Sequence, residues 1–195
     1  MNAITYPTQT VYPISSLSEA QLLKYADYYT DACFHPLILK DENIFKQEAW
    51  RYRLDSVDSY LSIEGTVYSE MLGAVDISTA ALFGNYRAAF PGSTSSNVSG
   101  GLPEHIKALT YKDIQSYHAK YYRPSNCLAI LYGKIDDLNS FAKLLNKEFS
   151  RYKKKKFTFE DKNYIPVNSP VTHYEAFPVT ADTDPNGQTI IYRDY

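Results

Sequence analysis

The stretch Gly65-Thr66-Val67-Tyr68-Ser69-Glu70-Met71-Leu72-Gly73-Ala74 decides how the chain is built. Val67, Met71 and Ala74 recur at i, i+4 and i+7, one face of a helix, although β-branched Thr66 and Val67 also suit a strand. A helix is the better fit. A second helical stretch follows at about 77–89 and stops before Pro91, with Gly92 to Gly101 a Ser/Gly loop. On the upstream side, Glu48 to Leu54 roughly alternates apolar and charged residues and predicts a strand, and Asp55 to Ser62 predicts a loop.

Outward from this centre, strand-like and helical segments keep alternating. Thr5 to Ser16 is rich in β-formers, with Pro7 and Pro13 fitting a sheet edge. Ser18 and Gln21 form a capping-box pattern ahead of Leu22, Ala26, Tyr29 and Cys33, which predicts a helix over about 18–34 followed by a polar break at 40–43. Thr110 and Asp113 cap a helix over 111–122 that Pro124 stops. Asn126 to Tyr132 is an apolar run of strand length, and Leu138, Phe141, Leu145 and Phe149 mark a last helix. Beyond Phe149 come Lys153 to Lys156 and a polar stretch, a domain boundary. Two short strands, 173–179 and 189–192, are expected around an Asp-Pro-Asn-Gly turn at 184–187. Strands interleaved with helices indicate an α+β or α/β layered fold.

Composition narrows the function. The 195 residues carry 20 Lys plus Arg against 22 Asp plus Glu, a balance that disfavours a nucleic-acid binder. No run approaches the roughly 20 apolar residues of a membrane span, and no secretory signal is visible, so no membrane partner is expected. Cys33 and Cys127 cannot make a disulfide framework, which fits a reducing, cytoplasmic compartment. Tyrosine is abundant, 19 residues, as on surfaces that meet another chain or peptide.

Chemistry is sparse. None of His35, His105, His118 and His173 has another histidine three to five positions away, and neither His-x-x-Glu-His nor His-Glu-x-x-His occurs. His118 and His105 read as packed or partly exposed residues. No phosphate loop or Gly-x-Ser-x-Gly elbow is present. Lys153 to Lys156 offers a contact to phosphate or an acidic partner, although a solvated helix end is the simpler reading. Glu70, flanked by apolar residues and near Glu64, is expected to be partly buried; spacing alone favours a surface or ion-paired role.

Five segments in order then resemble one family: Asn2-Ala3-Ile4-Thr5-Tyr6-Pro7 with Thr10-Val11-Tyr12-Pro13, Phe45 to Tyr52, Gly65 to Gly73, Ser99 to Pro103, and His118 to Asn126. Together they look like the presequence-protease and falcilysin branch of the M16 zinc metallopeptidases. The resemblance implies an α+β fold, an antiparallel sheet backed by helices, in a hydrolase that degrades unfolded peptides with zinc as cofactor. It implies that residues 1–150 are the C-terminal part of an M16 peptidase domain, 151–170 a linker, and 171–195 the start of the next half-domain. Glu70 matches the family's metal-binding glutamate, and Asn2, Ala3, Ile4 and Thr5 match a strand lying beside the substrate backbone.

The departures are equally specific. The family's His-x-x-Glu-His helix comes before the Asn-Ala-x-Thr strand, so two ligands and the catalytic base are expected upstream of this chain. Leu72 stands where the family has lysine and Ala49 where it has glycine. The expectation is a peptidase segment with no catalytic residue of its own, inactive alone, its partners being an unfolded peptide and either a second copy or the absent M16 half. The alternative is a non-catalytic peptide-binding or partner subunit.

Overall fold

A computed structural model describes residues 2–158, 165–177, 182, 184–187 and 189–193. Its elements are β1 (Ile4–Thr5), β2 (Thr10–Val11), α1 (Glu19–Phe34), α2 (Glu42–Glu48), β3 (Arg51–Arg53), β4 (Ser62–Glu64), α3 (Thr66–Ala74), α4 (Ile77–Ala89), α5 (Pro103–Ile106), α6 (Tyr111–Tyr121) and α7 (Leu138–Phe149). The class is α+β, helices with small two-stranded sheets. β1 pairs with β2 around a turn in which Tyr6 N–H donates to Gln9 O, and β3 pairs antiparallel with β4 in the register Arg51 to Glu64.

The chain divides into two compact units, one of Met1–Ile4, Thr10–Gln47 and Ala108–Phe159, the other of Thr5–Gln9, Glu48–Lys107 and Glu160–Tyr195. In the first, α1 packs on α7. Ser18 caps α1 by accepting from Gln21 N–H, but the Gln21 side chain engages Ser16 and Tyr25, so only half of the capping box forms. The Glu19 carboxylate accepts from the Asp136 and Asp137 N–H groups at 3.0 and 2.8 Å, tying the start of α1 to the start of α7. Phe34, Phe45 and Phe141 are this unit's buried apolar side chains.

α6 has both halves of its capping box: the Thr110 hydroxyl accepts from Asp113 N–H, and the Asp113 carboxylate accepts from Thr110 N–H at 2.8 Å. The Thr110 hydroxyl also donates to the Asp113 carboxylate at 2.6 Å, and this bond, followed by that from Thr110 N–H, holds the Asp113 carboxyl below its usual range, so the cap is complete above that range and is lost as acid protonates it. Thr110→Ala is expected to cost about 1 kcal/mol, read from the urea midpoint.

Several expectations are corrected. The polar break at 40–43 leads into α2, nucleated where Asp41 accepts from Asn43 N–H and held by buried Phe45, so the strand expected over 48–54 shortens to β3. The loop over 55–62 ends in β4. The run 126–132 is no strand: Asn126 closes a 3-10 turn, no strand pairs with the run among the described residues, and Leu128, Ile130 and Tyr132 are 82, 81 and 95% exposed. An apolar run becomes a strand only where a neighbour completes its ladder. The described parts of 173–179 and 189–192 are likewise not strands, while residues 178 and 179 lie outside the described set; the turn at 184–187 ends as a 3-10 turn.

Candidate functional site

The second unit positions Glu70. Its β3–β4 hairpin is laced by charge: Glu64 accepts from Arg51 and, at 2.9 Å, from Arg53, which also reaches Asp55 at 2.6 Å. Glu64 is thus occupied by arginines and does not pair with Glu70 as a second carboxylate. The chain then turns through buried Gly65 into α3. The Gly65 backbone is extended, and a Cβ there would lie 2.2 Å from Ala49 O, so this turn runs directly against the Ala49 and Trp50 backbone.

α3 docks through Met71. A Cβ at Gly100 would lie 2.3 Å from Met71 Sδ, and α3 packs on α5. Gly101, at φ +82°, makes the turn that leads to Pro103 at the start of α5, a conformation glycine adopts without a side-chain clash. With Met71 turned inward, Val67, Glu70 and Ala74 lie exposed, at i, i+3 and i+7. The expected inward face of Val67, Met71 and Ala74 therefore contributes only Met71, and Glu70 is exposed rather than partly buried. Met71 and Tyr68 are the half-buried residues of short α3, and its other residues are exposed.

Of the other matched segment, Asn2, Ala3 and Ile4 belong to the first unit and Thr5 to the second. Asn2, Ala3, Ile4 and Thr5 are all exposed. Asn2 N–H donates to the Tyr29 hydroxyl, which itself donates to Asn2 O at 3.1 Å, so α1 pins the strand at its start. Asn2 Oδ1 accepts from Ala3 N–H. Nearby, Tyr12 and Tyr122 join their hydroxyls at 2.5 Å, and the Tyr12 ring meets Tyr29 edge-on. Burial first, and then this bond, push the Tyr12 phenol above its ordinary range. Part of the tyrosine load thus serves internal packing, a role that composition does not reveal.

Three of the four histidines have structural partners. His118 Nε2 lies 2.8 Å from Cys33 O while the ring stacks on Tyr122 at 4.6 Å. His35 meets buried Glu148 at 2.6 Å, and Arg151 reaches the same carboxylate at 2.8 Å. His173 pairs with Glu175, which also takes Arg87. His105 lies exposed on α5. Among the described residues no group of three or more His, Cys, Asp or Glu side chains is arranged to hold a metal ion. One outward glutamate is a single donor where zinc needs three protein ligands, so the described residues do not by themselves fit a catalytic zinc site.

Burial, with a smaller contribution from Cys127, pushes the Cys33 thiol up to about 11. Iodoacetamide at pH 8 is therefore expected to label Cys33 slowly in the folded chain and quickly in denaturant, because the thiolate is the reacting form. Folding holds this thiol protonated more strongly than the unfolded chain does. Its contribution to stability is complete below the unfolded thiol range and is lost as pH rises through about 11. No helix among the described residues is long and apolar enough to cross a membrane.

The comparisons agree with this architecture. Residues 108–194 match the family model described as "Peptidase M16 inactive domain". Protein HypA of Clostridium perfringens is 36% identical over 150 residues, 76% of this chain and 15% of that protein. Presequence protease 1, chloroplastic/mitochondrial, of Arabidopsis thaliana is 34% identical over 71% of this chain and 13% of its own length, and the mitochondrial presequence protease of Drosophila melanogaster is 37% identical over 76% and 14%. The chain belongs to the M16 peptidase family. Within that family it is presequence protease-like, and its matches span about a seventh of the length of these relatives.

Proposed function

We propose that the chain is one portion of a zinc-dependent metalloendopeptidase acting on unfolded peptides, with Glu70 as its metal-binding contribution and Asn2, Ala3, Ile4 and Thr5 as its substrate-binding strand. The observation that carries this reading is the outward placement of Glu70 on a helix anchored from behind by Met71, which leaves the carboxylate accessible to ligands supplied from elsewhere. The names of the relatives, presequence proteases, support the peptidase class. When bound, zinc would act on water or polarise a peptide carbonyl. This chain's part is to hold a carboxylate in place and to offer an extended backbone to an extended peptide.

The same reading divides the chain into a peptidase-domain portion at 1–150, a linker at 151–170 and the start of a further half-domain at 171–195. It assigns neither nucleic acid nor membrane as a partner, and it takes a second copy or an M16 half as the partner that covers exposed apolar residues such as Leu128 and Ile130. A reducing, cytoplasmic compartment belongs to this proposal. The names of the plant and fly relatives place those proteins in organelles, so cell fractionation of the native protein tests it.

The sequence contains no His-x-x-Glu-His, and the isolated chain is accordingly proposed to be catalytically silent. Incubated with a flexible fluorogenic peptide and zinc, it should show no chelator-sensitive cleavage. Robust cleavage abolished by Glu70→Ala would overturn the proposal of silence. A second reading, a non-catalytic peptide-binding or partner subunit, is favoured by the inactive-domain match over 108–194. Mixing with a chain that bears His-x-x-Glu-His separates the two. Chelator-sensitive turnover that requires Glu70 supports the ligand role, whereas stable pairing that leaves turnover indifferent to Glu70→Ala supports the partner role.

A further inference from the structure

The lysine run beyond α7 meets the end of α6 around a pocket that the peptidase reading leaves unused. The pocket has a volume of about 400 Å³, and Lys120, Arg123, Lys155 and Lys156 line it, with no Asp or Glu among its described lining residues. Ser125 and Thr158 add hydroxyl groups, and Phe157 adds an aromatic wall. All of these residues belong to the first unit.

Ring packing, a cation–π contact and a hydrogen bond to backbone hold the arrangement in place. Phe157 packs on Tyr121 with ring centroids 6.2 Å apart, which fastens the segment after Lys156 to α6. Lys120 Nζ sits 4.8 Å over the Tyr121 ring. Arg123 Nε donates to Ala119 O at 2.6 Å, which fixes the plane of the guanidinium.

A helix C-terminus ordinarily repels an anion through its bare carbonyls. Here several are covered: Arg123 Nε takes Ala119 O, Tyr122 N–H takes His118 O, and Asn126 Nδ2 takes Tyr121 O at 2.9 Å. Four cations therefore surround a cavity of small-molecule size whose described lining holds no carboxylate and in which the opposing dipole is partly neutralised. Lysine supplies compact positive charge and arginine a planar fork, the combination that recognises phosphate oxygens.

We propose that this pocket binds a small, soluble phosphate-bearing molecule, with Arg123 orienting its oxygens and Lys120, Lys155 and Lys156 balancing its charge. The site is independent of Glu70 and stands whether or not the chain takes part in proteolysis.

The test is a titration of the full chain with sodium pyrophosphate at low salt, followed by calorimetry and by amide chemical shifts. Saturable binding is expected, with shifts concentrated at 116–125 and 155–158. Arg123→Gln and the pair Lys155→Gln with Lys156→Gln should each weaken it by roughly tenfold or more. Lys143→Gln, an exposed lysine on α7, should leave it unchanged. Circular dichroism of each variant confirms that the fold is retained. Absence of saturable binding, or equal weakening by Lys143→Gln, overturns the proposal. So does binding to vesicles of anionic phospholipid without saturable pyrophosphate binding, an outcome that would make this a membrane-facing patch.

Discussion

Gly65→Ala is expected to destabilise the second unit by about 3 kcal/mol, close to the upper end for inserting a methyl group where none fits. The new Cβ would stand 2.2 Å from Ala49 O and 2.7 Å from Trp50 Cα. Both are backbone atoms, which cannot rotate aside as the tip of a side chain can. At φ 166° the glycine backbone is extended, so the penalty is steric rather than conformational. Trp50, the chain's single tryptophan, lies at the clash and reports it through its emission during urea unfolding. Gly73→Ala supplies the contrast within α3. Nothing lies within 4 Å of a Cβ there, and alanine in a helix interior is favoured over glycine by roughly 0.5–1 kcal/mol. The two substitutions should move the midpoint in opposite directions. If they move it alike, Gly65 does not make the close approach that sets where α3, and with it Glu70, begins.

That turn also shows where sequence reading reaches and where it stops. The helices with local punctuation, α1 after Ser18, α4 before Pro91, α6 between Thr110 and Pro124, and α7 with its apolar stripe, were legible because their signals lie within a few residues of one another. α2 was not, since seven residues with one buried phenylalanine have too little periodicity to separate from a polar loop. β4 owes its existence to the facing Arg51 and Arg53, which lie well before it in sequence. The 126–132 run failed for the complementary reason: it has the composition of a strand and no ladder to join. At the candidate site, the apolar flanks of Glu70 pointed to partial burial, whereas the residue is exposed; only the order of the surrounding segments suggested a ligand role for it. Nor did the sequence show that Met71 docks against Gly100, a contact that depends on Gly100 lacking a side chain.

Phe34→Ala should produce the largest loss in the first unit, about 3–4 kcal/mol, within the range for truncating a buried aromatic side chain. Phe34 is 8% exposed and sits against Phe149 with centroids 5.8 Å apart and against Tyr152 at 5.5 Å, where the end of α1 meets the end of α7. The unit has few buried apolar residues, so the packing of this one ring is a large share of what holds these helices together. Phe34→Leu refills part of the space and should cost distinctly less, while Leu17→Ala, at an exposed position, should stay within about 0.5 kcal/mol of the parent. A local consequence follows from connectivity. α1 also carries Tyr29, whose hydroxyl holds Asn2 through both its N–H and its carbonyl, and it leads into His35, which grips buried Glu148. Loosening α1 should therefore free the strand proposed to lie beside a peptide substrate, and hydrogen exchange at the Asn2 amide should accelerate in Phe34→Ala and stay near the parent rate in Leu17→Ala. Unchanged exchange in Phe34→Ala would mean that the Tyr29 clasp holds the strand without support from the packing of α1 on α7.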